Sequence, residues 1–288
     1  MNQTPKLRRS VLYMPGSNAR ALEKARELPA DGLILDLEDA VAPEAKAVAR
    51  DQVCAAVREG GYGNREVVIR INGLDTPWGK DDIAAVARAG ADAILLPKTE
   101  TRNQLITLRD KLIEAGAPEH QKLWMMAETP RGIIDLDEIC AAPGLTAVIM
   151  GTSDLGKELR VSTAGSRQGL KFALSHSVLV ARAHGLDIID GVYPDIDANA
   201  EFRAACEQGK ELGFDGKTLI HPRQIAVTNE VFGISEAEAT HADAVLSAWR
   251  QARDAGEGIA VHDGKLIEQL HADEAERILT LYKAASNS

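Results

Sequence analysis

Between residues 10 and 232, short β-branched or aliphatic runs alternate with helix-patterned stretches, and this rhythm restricts the fold more than any single motif does. The strand-like runs are Ser10–Met14, Gly32–Glu38, Glu66–Ile71, Ala93–Pro97, Lys122–Ala127, Thr146–Met150, Asp187–Gly191 and Lys217–Ile220. Helical patterns cover Asn18–Glu27, Pro43–Glu59, Gly79–Ala89, Thr101–Ala115, Ile133–Ala141, Gln168–Ala183, Asp197–Leu212 and Pro222–Val231. Many stop beside a glycine, such as Gly60, Gly90, Gly116, Gly185 or Gly213, as helix C-termini do. Strands alternating with helices of this length make βαβ units and a parallel sheet. Eight of them predict an α/β fold closed as a (β/α)8 TIM barrel. An open doubly wound sheet is the alternative, but the first turn, Met14-Pro15-Gly16-Ser17-Asn18, is not the GxGxxG of a dinucleotide site.

The rhythm breaks after residue 232. A helix over Ala237–Ala255, a hairpin over Ile259–Ile267 turning at Asp263-Gly264, and a helix over Ala272–Ala285 are expected. The predicted division is a catalytic barrel of residues 1–232 and a C-terminal helix-hairpin-helix extension of residues 233–288. A hairpin and two helices bury little alone, so the extension should dock on the barrel or on a neighbouring subunit.

Composition narrows the class. The 288 residues are 45% hydrophobic and 26% charged, the balance of a globular protein rather than a disordered one. Lys and Arg number 33 against 43 Asp and Glu, a net charge of −10 that repels nucleic acid and anionic membrane surfaces. An anionic substrate would need a locally basic site. No apolar run approaches the roughly 18 residues of a membrane span. The opening Met1-Asn2-Gln3-Thr4-Pro5 has no apolar signal stretch, so a cytoplasmic location is expected. Cys54, Cys140 and Cys206 are too scattered for a disulfide framework or a zinc cage.

Nearly every predicted strand ends on a polar residue, and in this fold chemistry gathers at the strands' C-terminal ends. Period two puts Ile34, Asp36 and Glu38 on one face of the second strand, and Arg70 and Asn72 on one face of the third. The fourth ends at Lys98 and the fifth at Glu128. The sixth runs into Gly151-Thr152-Ser153-Asp154, the seventh carries Asp190, and the eighth ends at His221. Glu128 and Asp154, one βα unit apart, are two carboxylates without histidine or cysteine ligands, a donor set suited to Mg2+. The competing reading is that both pair with Arg70 or Lys98. Asp36, Glu38 and Asp39 suit a second layer holding metal-bound waters, with Glu38 and Asp39 as candidate catalytic carboxylates; the bland alternative is helix-start acids before Pro43. Arg70 can grip a carboxylate or carbonyl bidentately, with Asn72 and Lys98 beside it. Gly151, Thr152 and Ser153 form a turn whose N–H groups can face an anion. Pro15 and Gly16 precede a helix with Arg20 and Lys24 on one face, a weak pattern for phosphates such as those of coenzyme A. His221 is placed near the mouth by position alone. His262 and His271 flank the hairpin without a visible partner.

Six ordered motifs carry a resemblance. They are Arg9-Ser10-Val11-Leu12-Tyr13-Met14-Pro15-Gly16, Leu35-Asp36-Leu37-Glu38-Asp39-Ala40-Val41, Arg70-Ile71-Asn72, Leu96-Pro97-Lys98, Ala127-Glu128-Thr129 and Gly151-Thr152-Ser153-Asp154. Together with Gly216-Lys217-Thr218-Leu219-Ile220-His221-Pro222, the chain resembles the citrate lyase β-subunit-like family of the HpcH/HpaI aldolase superfamily. Malyl-CoA and citramalyl-CoA lyases and malyl-CoA thioesterases belong to it. The resemblance implies a TIM barrel with Mg2+ held by Glu128 and Asp154, Arg70 on a 2-oxo acid such as glyoxylate, and CoA crossing the mouth near the first βα turn. It also implies a homotrimer or homohexamer. In the family's CoA lyases the C-terminal segment covers a neighbour's site and delivers an aspartate in a Met-Ile-Asp-x-Pro pattern. The matching stretch here is Leu266-Ile267-Glu268-Gln269-Leu270, with Glu268 for Asp and Leu270 for Pro. One methylene moves an acid by about the 1 Å that matters in proton transfer, and the stretch looks more like the thioesterase branch. The implied activity is a Mg2+-dependent C–C lyase that cleaves a 3-hydroxyacyl-CoA thioester of the malyl-CoA or citramalyl-CoA type through a thioester enolate, with Glu268 as proton donor. The alternatives are an (S)-malyl-CoA thioesterase giving malate and CoA, and a citrate lyase β subunit working on a carrier-protein thioester.

Overall fold

The computed structural model describes residues 6–286. They form two compact units, one of Arg8–Phe232 and one built on residues 233–286.

In the first unit eight strands close into a parallel barrel in chain order: β1 (Ser10–Pro15), β2 (Gly32–Asp36), β3 (Glu66–Arg70), β4 (Ala93–Leu96), β5 (Lys122–Ala127), β6 (Leu145–Met150), β7 (Asp187–Asp190) and β8 (Gly216–Leu219). Ser10 pairs with Lys217 to close it. The helices are α1 (Ala19–Lys24), α2 (Lys46–Glu59), α3 (Gly79–Val86), α4 (Arg102–Glu114), α5 (Pro130–Ile134), α6 (Leu136–Cys140), α7 (Thr152–Leu159), α8 (Lys171–Ala183), α9 (Ala200–Leu212) and α10 (Ile225–Phe232). The expected (β/α)8 architecture is therefore present. Strand period sorts the apolar residues into two layers. Val11, Ile34, Val68, Leu95, Trp124, Ile149 and Ile189 fill the barrel, while Leu12, Leu33, Leu35, Ile69 and Ile94 pack outward against the helices. The strands' N-terminal end is sealed by an ion pair: Arg8 Nε and Nη2 donate to Glu66 at 2.7 and 2.9 Å, and the guanidinium lies 5.0 Å from the Trp124 ring centre.

Two helices depart from the sequence reading. Residues 152–159, of which the sequence reading assigns only Thr152 and Ser153, to a turn with Gly151, form α7, which a run of polar residues broken by Gly156 disguised. A Cβ at Gly156 would lie 2.3 Å from Thr163 Cγ2, so a larger residue there would displace that side chain. The stretch expected as one helix over Ile133–Ala141 splits into α5 and α6 at Asp135, whose φ and ψ of −93° and 12° leave the helical region. Cys54, Cys140 and Cys206 are free and buried. Among the described residues no helix is long and apolar enough to cross a membrane.

The second unit consists of α11 (Glu236–Asp254), an antiparallel pair β9 (Ala260–His262) and β10 (Lys265–Ile267), and α12 (Gln269–Ser286). Its core gathers Val245, Leu246 and Trp249 of α11 with Ala260, Ile267, Ala272 and Ala275. The turn at Asp263 and Gly264 has φ of 46° and 72°, the two left-handed residues of a type I′ hairpin.

Candidate active site

Strand parity and register place the first pair. Asp36 follows Ile34 on the inner face of β2, Arg70 follows Val68 on β3, and the two stand opposite each other in the ladder. Arg70 Nε donates to Asp36 Oδ1 and Nη2 to Oδ2, both at 2.6 Å. Burial alone would push the fully buried Asp36 carboxyl up. The Arg70 charge and its hydrogen bonds, with the N–H groups of Glu38 and Ala40, hold it below the ordinary carboxylate range. The Nη1 group of Arg70 points away from this fork and makes other contacts. Nη1 lies 3.0 Å from Glu38 Oε2 and donates to Met126 Sδ at 3.5 Å, and the guanidinium sits 4.8 Å from the Tyr13 ring centre.

Two expectations are corrected here. The bidentate fork of Arg70 closes on Asp36 rather than standing open for a substrate, because the register puts a carboxylate directly opposite it. For the same reason both Asp36 oxygens are engaged, so the residue orients Arg70 instead of holding metal waters.

Glu38 is buried between Arg70 and the Lys98 ammonium, which reaches its Oε1 at 3.1 Å. Burial raises its carboxyl; the Arg70 charge opposes this and Asp39 adds to it. Asp39 is 62% exposed, lines the cavity and lies 4.0 Å from Arg70 Nη1. Lys98 has φ of 47°, and this left-handed kink turns its N–H onto Glu128 Oε1 at 2.6 Å while its Nζ stands 3.9 Å from Asp154 Oδ2. The competing pairing with the Lys98 ammonium is thus seen for Asp154 but not for Glu128, which takes the backbone donor. Burial pushes the Glu128 carboxyl up to about 7, against the pull of that N–H and of Arg70, and Glu38 and Asp154 repel it further. A buried carboxylate crowded by two others is a place where a cation replaces a proton. The oxygen-only donor set of Glu128 and Asp154 fits a hard divalent ion.

Gly151 acts through space rather than through its N–H. That group donates to Ala127 O at 3.1 Å, and a Cβ at 151 would lie 2.3 Å from Glu128 Cβ and 2.4 Å from its Oε2. The glycine leaves room for the carboxylate. Thr152, Ser153 and Asp154 belong to the first turn of α7 and line the same cavity, so the expected anion-facing turn is a helix start. The cavity holds about 310 Å3 and is lined by polar Tyr13, Asp39, Arg70, Glu128 and Asp154 together with apolar Met150, Val192 and Ile220.

Other predicted residues lie outside this cavity. Asn72 faces away from the mouth: its Oδ1 accepts from Lys46 Nζ at 2.7 Å, and its Nδ2 donates to Asp82 Oδ2 at 2.6 Å and to Leu37 O at 2.9 Å. Lys46 Nζ also donates to the carbonyls of Leu37 and Glu38 at 2.8 and 2.7 Å, bracing the loop that carries Glu38 and Asp39. The N–H of Gly16 donates to Asp36 O at 2.9 Å and a Cβ there would lie 2.5 Å from the same oxygen, so Gly16 packs the turn and offers no donor to a phosphate. The following helix α1 has only six residues, with Arg20 and Lys24 exposed on it beyond Pro15. His221 accepts from Arg223 N at 3.2 Å through Nδ1 and caps a short helical turn. Glu268 lies in the second unit, exposed, its N–H donating to His271 Nδ1 at 3.0 Å.

Sequence reasoning missed Tyr13, Lys46, Asp82 and Met126. Tyr13 and Met126 were discoverable by extending the inward parity of Val11 and Trp124. Lys46 and Asp82 had no local signal, because their partners are remote in sequence.

A family model described as HpcH/HpaI aldolase/citrate lyase matches residues 9–222. The chain belongs to this family. It is 45% identical over 276 residues to a (3S)-malyl-CoA thioesterase of Cereibacter sphaeroides, covering 96% of this chain and 95% of that protein. It is 34% identical over 279 residues to the citrate lyase subunit beta of Escherichia coli, covering 95% and 92% respectively. Among solved structures, the CitE protein of Mycobacterium tuberculosis in complex with magnesium, acetoacetate and coenzyme A aligns with a TM-score of 0.76 at 27% identity, over 95% of this chain and 97% of that one. The HpcH/HpaI family is enzymatic, and its matched segment contains Asp36, Arg70, Glu128 and Asp154.

Proposed function

We propose that this HpcH/HpaI family member is a Mg2+-dependent enzyme acting on the CoA thioester of a short hydroxydicarboxylic acid, with hydrolysis of (3S)-malyl-CoA to malate and CoA as its reaction. The observation that carries the reading is 45% identity to a (3S)-malyl-CoA thioesterase along nearly the whole of both chains, joined to a mouth cavity sized for a short acyl group.

Glu128 and Asp154 would hold the ion, as the crowded, raised carboxyl of Glu128 favours. The chemistry magnesium supplies when bound is polarisation of a substrate oxygen. Arg70 Nη1, held rigid by the Asp36 fork, stabilises negative charge on the acyl group. Asp39, lining the cavity and mostly exposed, takes the proton of the attacking water. The water oxygen bonds to the thioester carbonyl carbon and the C–S bond breaks; Glu268 of a neighbouring subunit gives the CoA sulfur its proton and regains one through solvent from Asp39. Thr152 and Ser153 border the acyl group, and exposed Arg20 and Lys24 meet the CoA phosphates. A homotrimer or homohexamer, with residues 233–288 bringing Glu268 to a neighbour's mouth, is part of the same proposal.

A second reading, C–C cleavage to glyoxylate and acetyl-CoA, is favoured by the 34% identity to a citrate lyase subunit. One incubation with malyl-CoA and Mg2+ separates them. Malate with one free thiol per turnover is expected. Glyoxylate with intact acetyl-CoA would replace hydrolysis by lysis, and absence of both would overturn the substrate class.

A further inference from the structure

The second unit carries a cluster that the barrel chemistry leaves unused. His241 on α11, His262 at the end of β9 and Asp263 in the hairpin turn each present one ligand atom, and these atoms all lie within 4.8 Å of one another. We propose that they form a transition-metal site, binding Zn2+ or a similar borderline ion and clipping the hairpin turn onto α11.

The His262–Asp263 pair already has the spacing of neighbouring ligands on one ion, and His241 lies within 4.8 Å of both, so its side chain needs only a small adjustment to join them. Bonds of about 2.0–2.2 Å at tetrahedral angles put adjacent ligand atoms roughly 3.3–3.5 Å apart. His262 Nε2 and Asp263 Oδ2 are separated by 3.4 Å. Two imidazoles on one such ion have ring centres about 5–6 Å apart; those of His241 and His262 are 5.8 Å apart and tilted by 42°. The left-handed φ of Asp263, 46°, comes from the tight I′ turn and places its carboxylate beside His262. Glu236 and Thr240 line the same open cleft, which leaves room for water to complete the coordination sphere.

The donor set chooses the ion. Two imidazole nitrogens and one carboxylate oxygen suit Zn2+, Co2+ or Ni2+, whereas Mg2+ prefers the oxygen-only pair at the barrel mouth. The site's use is structural. Three-residue strands are marginal by themselves, and the clip joins their turn to the longest helix of the unit, within that unit.

The test uses untagged full-length protein stripped with EDTA and held in excess Mg2+. It is titrated calorimetrically with Zn2+ and, separately, with Co2+ while the visible ligand-field bands are recorded. One Zn2+ per chain and a Co2+ spectrum of tetrahedral intensity are expected. His241→Ala and His262→Ala should each weaken Zn2+ binding by at least about tenfold, the lower end of what disturbing a metal site costs, and lose the Co2+ bands. Glu128→Gln should retain both. Because His241 is exposed on a helix, its alanine variant should keep the wild-type far-ultraviolet circular dichroism. No saturable Zn2+ binding by the wild type, unchanged affinity in the histidine variants, or loss of binding in Glu128→Gln would each overturn the proposal.

Discussion

Asp36→Asn tests the logic of the site most directly. The substitution keeps the shape and removes the charge, leaving the buried Arg70 guanidinium facing an amide. Removing one partner of a buried ion pair costs about 3–5 kcal/mol. Arg70 retains Glu38 Oε2 at 3.0 Å from Nη1, so the lower end, about 3 kcal/mol, is expected. For a unit of this size that corresponds to a fall of roughly 6–12 °C in Tm. Asn can still accept one of the two N–H bonds from Glu38 and Ala40, which the acid accepts through separate oxygens. Activity should fall further than stability suggests, because an oriented donor is lost. About 10²- to 10³-fold in kcat is expected, as for other preorganised donors. The assays are urea unfolding followed by circular dichroism and steady-state kinetics with malyl-CoA. A cycle with Arg70→Met should return a coupling energy of about 2–3 kcal/mol. An Asp36→Asn protein with wild-type midpoint and wild-type kcat/KM would refute the claim that this pair positions the site.

Further outcomes follow from other residues. Glu128→Gln and Asp154→Asn should each abolish Mg2+-dependent turnover and weaken Mg2+ binding in calorimetry while the barrel stays folded; full activity after EDTA treatment would contradict this. Gly151→Ala forces its new Cβ to within 2.3 Å of Glu128 Cβ, so kcat should drop by about 10²-fold, the usual effect of a 1 Å misplacement. Burial pushes the Asp190 carboxyl up, but Lys217 and Arg167 outweigh it and hold it below its ordinary value. Its stabilising contribution is therefore complete above about pH 4, the unfolded pKa, and is lost as pH falls through the lower folded value. Asp190→Asn should give a shallower loss of urea stability on acidification than the wild type, and equal slopes would exclude the pairing as its cause. Glu268→Gln should lose about 10²- to 10⁴-fold in rate with Mg2+ binding intact, and an unaffected rate would remove Glu268 from the chemistry.

What the sequence determined by itself is whatever depends on short-range periodicity. Alternating strands and helices demand a parallel sheet, and eight of them close into a barrel. Period two then assigns Asp36 and Arg70 to the inner face, and the polar strand ends mark which rim carries the chemistry. Charge alone did not show what those residues do to one another. That Arg70 spends its fork on Asp36, that Glu128 takes the N–H of Lys98 instead of its ammonium, and that Gly16 and Gly151 serve by lacking a side chain all follow from ladder register and close approach. Such contacts join residues tens of positions apart, and no window along the chain contains both partners. Lys46 is the clearest case: an unremarkable lysine at a helix start in sequence, it becomes a buried brace only when β2 and β3 bring Leu37, Glu38 and Asn72 around its ammonium. His262, without a partner in sequence, likewise meets His241 only because the second unit folds its hairpin back on α11. Patterns of polarity are local, whereas the pairing of charges and the exclusion of atoms are properties of three-dimensional packing.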